Sequence, residues 1–237
     1  MKQYEIILWD VDQTLLDVSK SEDYALKYAF KKFGRNIDSR IVRLYAGIND
    51  SYWKRLEKGE ISRAEVQRGR FETLFSKLQI TDIAPEEFAP IFQKALGSVY
   101  YYRDDSFLLC SELRRDFRQY VVTNGVTWTQ QNKLKLAGFD KVMDGIFISE
   151  MIGSPKPSRD FFEKCFEQIP DFQREKTIIV GDSLTSDMLG GNQASISCCW
   201  YNPDGKKVKE ETDLELQIDY EIRDLWEIKD ILYGKFF

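Results

Sequence analysis

The chain has 237 residues, with 34 Lys+Arg against 39 Asp+Glu and a formal net charge of −5. Its 43% hydrophobic and 31% charged residues describe a globular protein, not a disordered one, and the acidic balance argues against binding polymeric nucleic acid. Histidine is absent altogether, which excludes a Ser-His-Asp triad, a Cys-His pair, a phosphohistidine and a His-ligated zinc. Proton transfer is left to carboxylates, Lys, Tyr or Cys, and any metal would be a hard ion on oxygen ligands. Cys110, Cys165, Cys198 and Cys199 show no C-x-x-C spacing, and neighbours in a strand would face opposite ways. A reduced chain in the cytoplasm is the expectation. No apolar run reaches the length of a membrane span or a signal-peptide core, so no membrane partner is expected.

In chain order, the first strand-length apolar run is Ile6-Ile7-Leu8-Trp9. Residues 17–104 then show helical patterns and no clear strand. Ser62-Arg63-Ala64-Glu65 is a capping-box signature, and Pro85 suits the first turn of a further helix. From residue 105 the rhythm changes to short apolar runs at 120–122, 146–148, 177–180 and 198–201, alternating with helical stretches at 129–137, 158–169 and 224–233. Continuous apolar runs of that length suit strands buried on both faces. Alternation predicts right-handed crossovers and an α/β, doubly wound, Rossmann-like parallel sheet. The expected organisation is a core of residues 1–16 and 105–237 carrying an inserted all-helical cap at 17–104.

Four segments hold the candidate chemistry. Asp10-Val11-Asp12-Gln13-Thr14 leaves the first strand at its carboxyl end, where ligands of open α/β sheets bind. Two acids so placed can divide the work of nucleophile and acid–base; a solvated turn with helix-capping acids is the alternative. Thr123-Asn124-Gly125 ends the second core strand and offers a hydroxyl, an amide and backbone N–H groups to phosphate oxygens, although Asn-Gly is also a common turn. Lys156 stands between Pro155 and Pro157, which restrict the local backbone; an exposed loop lysine would look the same. Asp182 and Asp187 follow the strand at 177–180. Four acids converging on one crevice would repel unless a divalent cation such as Mg²⁺ neutralised them.

Taken together, Trp9-Asp10-Val11-Asp12-Gln13-Thr14-Leu15, Val122-Thr123-Asn124-Gly125, Lys156-Pro157 and the run from Val180-Gly181-Asp182-Ser183 to Asp187 resemble the haloacid dehalogenase superfamily of phosphohydrolases. The resemblance implies that Asp10 attacks phosphorus and forms an aspartyl-phosphate, and that Asp12 protonates the leaving group and then activates water. It implies Mg²⁺ held by Asp10, Asp182 and the backbone carbonyl of Asp12, with Asp187 supporting the metal or orienting Lys156. Thr123, Asn124 and Lys156 would bind the phosphoryl oxygens. An acid at position 12 disfavours the dehalogenase branch. Gln13 and Trp9 depart from the Gly and Phe common in the family.

Within the cap, the segments around Ile48-Asn49-Asp50-Ser51-Tyr52-Trp53, Glu57-Lys58-Gly59-Glu60-Ile61-Ser62 and Arg68-Gly69-Arg70-Phe71, with Cys199-Trp200-Tyr201-Asn202-Pro203 in the core, are similar to the pyrimidine-preferring bacterial 5′-nucleotidase branch. Tyr45, Asn49, Tyr52, Trp53 and Arg70 are its candidate specificity residues. The aromatic rings among them could stack on a nucleobase or simply pack the cap. The expected partner is a small phosphate monoester, a nucleotide first. A sugar-phosphate or phosphoglycolate phosphatase is the alternative enzyme, and an inactive regulatory binding protein on the same fold is the alternative class.

Overall fold

The computed structural model describes residues 3–234. It divides into two compact units, one running up to Asp17 and resuming at Tyr101, the other Val18–Tyr100. The limits drawn from the sequence, 17 and 104, differ by a few residues at the second crossing, where no Gly- or Ser-rich linker marks the change.

Along the chain, β1 (Ile6–Trp9) leads into the insert, which is built from α1 (Val18–Lys32), α2 (Ser39–Glu57), α3 (Arg63–Leu78) and α4 (Pro85–Leu96). The first unit then continues through α5 (Ser106–Leu113), β2 (Arg118–Thr123), α6 (Thr127–Leu136), β3 (Gly145–Ile148), α7 (Ser149–Ile152), α8 (Arg159–Phe166) and β4 (Thr177–Gly181). A π-helical turn at Leu184–Met188 runs into α9 (Leu189–Gln193), followed by β5 (Ser197–Tyr201), α10 (Val208–Glu211), β6 (Tyr220–Ile222) and α11 (Ile228–Leu232).

The six strands form one sheet in the order β3-β2-β1-β4-β5-β6, and every pairing is parallel. This is the doubly wound α/β fold. Chain order runs one way from β1 to β3 and the other way from β4 to β6, so the connections diverge between β1 and β4. That divergence opens a crevice at the carboxyl ends of the strands.

Strand β1 sits centrally because all four of its residues are apolar and buried. Ile6 and Leu8 face a layer containing Phe161, Phe162 and Cys165 of α8, with Tyr120, Val122, Ile179 and Cys198 from the neighbouring strands. Trp9, where Phe is common, is accommodated by a polar partner: its indole N–H donates to Gln119 Oε1 at 3.0 Å, and Gln119 Nε2 donates to Cys110 O at 2.8 Å. Both side chains are fully buried, and the two bonds satisfy groups whose desolvation would otherwise be costly. Strand β6 was not expected. It is a three-residue edge strand with exposed Glu221 at its centre, so it lacks the apolar run that marks the inner strands.

The insert has its own core. Phe30, Tyr45, Phe71, Phe75, Phe88 and Phe92 are buried together, with several rings edge-on to one another at centroid distances such as 4.9 Å for Phe30–Phe88. Its helices start where the sequence says they should. Asp38 caps α2 by accepting from Arg40 N and Ile41 N. Ser62 and Glu65 form the reciprocal capping box of α3, and Pro85 opens α4.

Helix α9 packs closely on the sheet. A Cβ added at Gly191 would lie 2.5 Å from Cys198 Sγ and 2.8 Å from Ile179 Cγ2, both fully buried. Gly191→Ala is therefore expected to destabilise the sheet unit by about 1–3 kcal/mol through overpacking, read as a lowered urea midpoint with an unchanged slope. An unchanged midpoint would show that α9 has slack the structure does not display.

Candidate active site

The carboxyl ends of β1, β2 and β4 bring together residues from all four sequence segments. The Asp10 N–H donates to Val180 O at 2.9 Å, which fixes Asp10 at the boundary of β1 and β4. The Lys156 ammonium is buried and donates three bonds: to Asp10 Oδ1 at 2.7 Å, to Asp187 Oδ1 at 2.6 Å and to Val122 O at 2.9 Å. Its three protons are thus all used. The Lys156 loop is clamped to the end of β2 by Asn124, whose Oδ1 accepts from Lys156 N at 2.8 Å while its Nδ2 donates to Lys156 O at 2.9 Å. Thr123 is buried, and its Oγ1 accepts from Gly125 N at 3.1 Å.

On the β4 side, Asp182 is half-buried. Its Oδ1 accepts from Thr14 Oγ1 at 3.1 Å, and its own N–H donates back to Thr14 Oγ1 at 3.1 Å. Trp200 Nε1 donates to Asp182 O at 3.0 Å. Asp187 is reached across the π-helical turn, where Ser183 N donates to its Oδ2 at 3.1 Å. Gly181 is required here for space, because a Cβ would lie 2.3 Å from Asp187 Cγ.

Asp10, Asp182 and Asp187 can each present an oxygen within 4.8 Å of the others. Burial raises the Asp10 carboxyl well above the usual carboxylate range; Lys156 opposes that rise, and Asp187 and Asp182 add to it. Burial, and then the charge of Asp187, pushes Asp182 up to about 7. Burial works against the Lys156 charge, but Asp10 and Asp187 outweigh it and hold the ammonium above its ordinary range. Three crowded carboxylates with one ammonium leave negative charge in excess, and all the donors are hard oxygens. This donor set fits Mg²⁺ by the chemistry of its ligands. The four cysteines are buried and unpaired, and burial raises their thiols. Burial thus works against a reactive thiolate at any of the four.

Asp12 is held by residues that sequence reading passed over. Lys133 Nζ donates to Asp12 Oδ1 at 2.5 Å, and Gln130 Nε2 donates to Asp12 Oδ2 at 2.5 Å. Both side chains are buried and lie on α6. A lysine and a glutamine in a helix of mixed polarity read as surface residues, and only their spacing of three could have hinted at a shared target. Gln13, another departure from the family pattern, has φ of 68°. That is the left-handed region where Gly carries no penalty, which explains why Gly is common at this place. Here the Gln13 side chain accepts from Arg103 Nη2 at 2.6 Å through Oε1.

The candidate residues of the insert form a separate group. Tyr45 is buried and stacks on Phe71 with centroids 5.7 Å apart and planes 13° from parallel. Arg70 is buried against the rings of Phe71 and Phe92, and its Nη1 donates to Asn49 Oδ1 at 2.6 Å. Asn49 Nδ2 in turn donates to Glu22 Oε1 at 2.8 Å. Tyr52 shares a hydrogen bond with Thr73 Oγ1 at 2.9 Å and covers Gly69. Trp53 is half-buried against Leu56, Ile61 and Val66. No helix among the described residues is long and apolar enough to cross a membrane.

The profile of the family described as haloacid dehalogenase-like hydrolase matches residues 7–201. The magnesium-bound crystal structure of the HAD-hydrolase YfnB from Bacillus subtilis superposes with a TM-score of 0.91 at 35% identity, covering 98% of this chain and 99% of that one. The pyrimidine 5′-nucleotidase PynA of Streptococcus pneumoniae is 36% identical over 233 residues, 97% of this chain and 95% of its own length. The pyrimidine 5′-nucleotidase YjjG of Escherichia coli is 26% identical over 200 residues, 84% of this chain and 87% of its own. With its four motif segments gathered at the strand ends of a doubly wound sheet, the chain belongs to the haloacid dehalogenase-like hydrolases.

Proposed function

We propose that this hydrolase is a magnesium-dependent phosphomonoesterase working through an aspartyl-phosphate, with nucleoside 5′-monophosphates, pyrimidine ones first, as its substrates. The observation that carries the phosphatase reading is the buried Lys156 ammonium joining Asp10 to Asp187, with Asp182 completing a carboxylate cluster within 4.8 Å. The two pyrimidine 5′-nucleotidases at 36% and 26% identity support the substrate.

In this reading an Asp10 carboxylate oxygen attacks phosphorus in line. The bond from phosphorus to the ester oxygen breaks, and Asp12 supplies the proton that the departing oxygen takes. Water then attacks the aspartyl-phosphate, giving its proton to Asp12, and the bond from phosphorus to Asp10 breaks to release inorganic phosphate. Thr123 and the Asn124 N–H bind the phosphoryl oxygens, and the Lys156 ammonium joins them by exchanging its bond to Asp10 for one to phosphate, so that positioning and charge stabilisation lower the barrier. Mg²⁺, held by Asp10, Asp182 and the Asp12 carbonyl with Asp187 alongside, would offset the negative charge of carboxylates and phosphate when bound. Leaving-group choice is assigned to the insert, where Tyr52 and Trp53 keep their rings half-buried while Tyr45 lies in the aromatic core. Asn49 and Arg70 complete that assignment as its polar groups.

The deciding experiment compares phosphate release from UMP, dTMP, phosphoglycolate and sugar phosphates by wild type and Asp10→Asn. The nucleotides are expected to show the highest kcat/KM, and Asp10→Asn to lose roughly three orders of magnitude or more on every substrate. Preference for phosphoglycolate or a sugar phosphate would overturn the nucleotide reading alone, whereas near-wild-type turnover by Asp10→Asn would overturn the nucleophile. Removing divalent metal with EDTA is expected to abolish activity, Mg²⁺ to restore it and Ca²⁺ to restore little, since Ca²⁺ takes more ligands at longer distances. Full activity of a metal-free preparation would count against the cluster as a cation site. Gly181→Ala should fold yet lose roughly 100-fold in kcat, because its methyl group displaces the Asp187 carboxylate that fixes Lys156. Wild-type kcat in that variant would show that the position of Asp187 does not matter.

A further inference from the structure

We propose that Gln130 and Lys133 are positioning residues for Asp12, a paired anchor that fixes the acid–base carboxylate by both of its oxygens. The proposal rests on the reading of Asp12 as the proton donor and acceptor.

The geometry is specific. Asp12 Oδ1 accepts from Lys133 and Oδ2 from Gln130, each at 2.5 Å. The two donors are three residues apart on α6 and so project from the same face of one helix. Neither carboxylate oxygen can swing without losing a donor. The Asp12 side chain nevertheless stays 30% exposed, while the Lys133 side chain is 1% exposed. The anchor is buried and its cargo is open to the crevice. Each carboxylate oxygen has a second lone pair beyond the bond it makes with the anchor.

Three features show that the arrangement serves position more than stability. A buried lysine is rare without a partner, and a buried ion pair is often no more stable than apolar residues of the same volume. Folding alone therefore gives no reason for Lys133 at a buried helix position. Gln130 presents its N–H₂ to Asp12 while its Oε1 stays buried without a hydrogen-bond partner. An amide that accepts an unsatisfied oxygen loses about 1–3 kcal/mol, and here it does so to give Asp12 a donor. Lastly, a Cβ at Gly125 would stand 1.9 Å from Gln130 Nε2. Gly125 is not among the residues of positive φ, so a left-handed backbone is not what requires Gly there, whereas the passage of Gln130 is. The Thr123-Asn124-Gly125 loop thus carries the phosphate-binding groups and leaves the gap through which Gln130 reaches Asp12.

The test is a double-mutant cycle on Asp12→Asn and Lys133→Met, with phenyl phosphate and p-nitrophenyl phosphate as substrates. Lys133→Met is expected to lower kcat on phenyl phosphate roughly 10–100-fold, as misplacing a reacting group does. It should leave the p-nitrophenolate burst unchanged, because that leaving group departs without a proton. In the Asp12→Asn background, Lys133→Met should change kcat by no more than about twofold, since its target has already been disabled. A full additional loss in that background, or an equal loss in the burst, would overturn the proposal and mark Lys133 as a structural residue. If Asp12→Asn alone were harmless, the acid–base reading would fail instead, and the two failures are therefore separable. Should Lys133→Met not fold, Gln130→Met and Lys133→Arg replace it. Gln130→Met is expected to lower kcat on phenyl phosphate and Lys133→Arg to keep most of it; wild-type kcat in Gln130→Met beside a severe Asp12→Asn would also overturn the proposal.

Discussion

The structure of the sheet unit turns on one buried ammonium. Lys156 lies between Asp10 and Asp187 and also donates to the backbone of β2. Without it, acids from the ends of β1 and β4 would meet in a site poor in water, where like charges repel strongly. A buried ion pair is a weak source of stability, yet breaking one by removing a partner is costly. Neighbouring features keep the ammonium in place. Asn124 clamps the Lys156 backbone, and Gly181 leaves room for the Asp187 carboxylate. Thr14 ties Asp182 to the loop after β1. The sheet supplies rigidity of its own, since β1 is paired along its whole length with β4 by the register Ile6 to Thr177 through Trp9 to Val180.

Much of that crevice could be read from residue order. Strand ends are visible as the points where an apolar run stops, and a chain that places Asp10, Thr123 and Asp182 just beyond such points, with Lys156 held between two prolines, has few other ways to use them. What stayed hidden falls under two physical causes. One is partnership across long sequence separations: Trp9 needs Gln119, and Asp12 needs Gln130 and Lys133. Nothing in a single window shows that a polar helix residue is buried. The other is conformation without a composition signal. Gln13 adopts a left-handed φ that residue type would not announce, and β6 pairs through its backbone with a charged residue at its centre. Helix limits moved for a milder reason. The stretch expected at 224–233 begins as a 3-10 turn at Leu225–Glu227, capped by Asp224, before α11 takes over.

The insert was legible as helical because capping boxes and prolines are local signals. Its interior was less so. A cluster of phenylalanines with Tyr45 stacked among them has the same composition as a surface that stacks on bases, and only burial separates the two. Arg70 shows the same ambiguity from the polar side. It is a cation lodged against aromatic rings and tied through Asn49 toward Glu22.

The two places where the chain leaves and re-enters the sheet unit lie side by side. Asp17 N donates to Tyr101 O at 2.8 Å, and Arg103 N donates to Leu15 O at 3.1 Å. The outgoing and returning segments are thus already paired as a short ribbon. A segment entering and leaving through neighbouring doors imposes no length requirement on what it encloses, and loop-closure entropy rises only slowly with length. The sheet can therefore tolerate an insert that is lengthened, trimmed or exchanged over evolutionary time without altering the spacing of its strand ends. The sheet unit and the segment it encloses are in this sense separately heritable parts of one gene product.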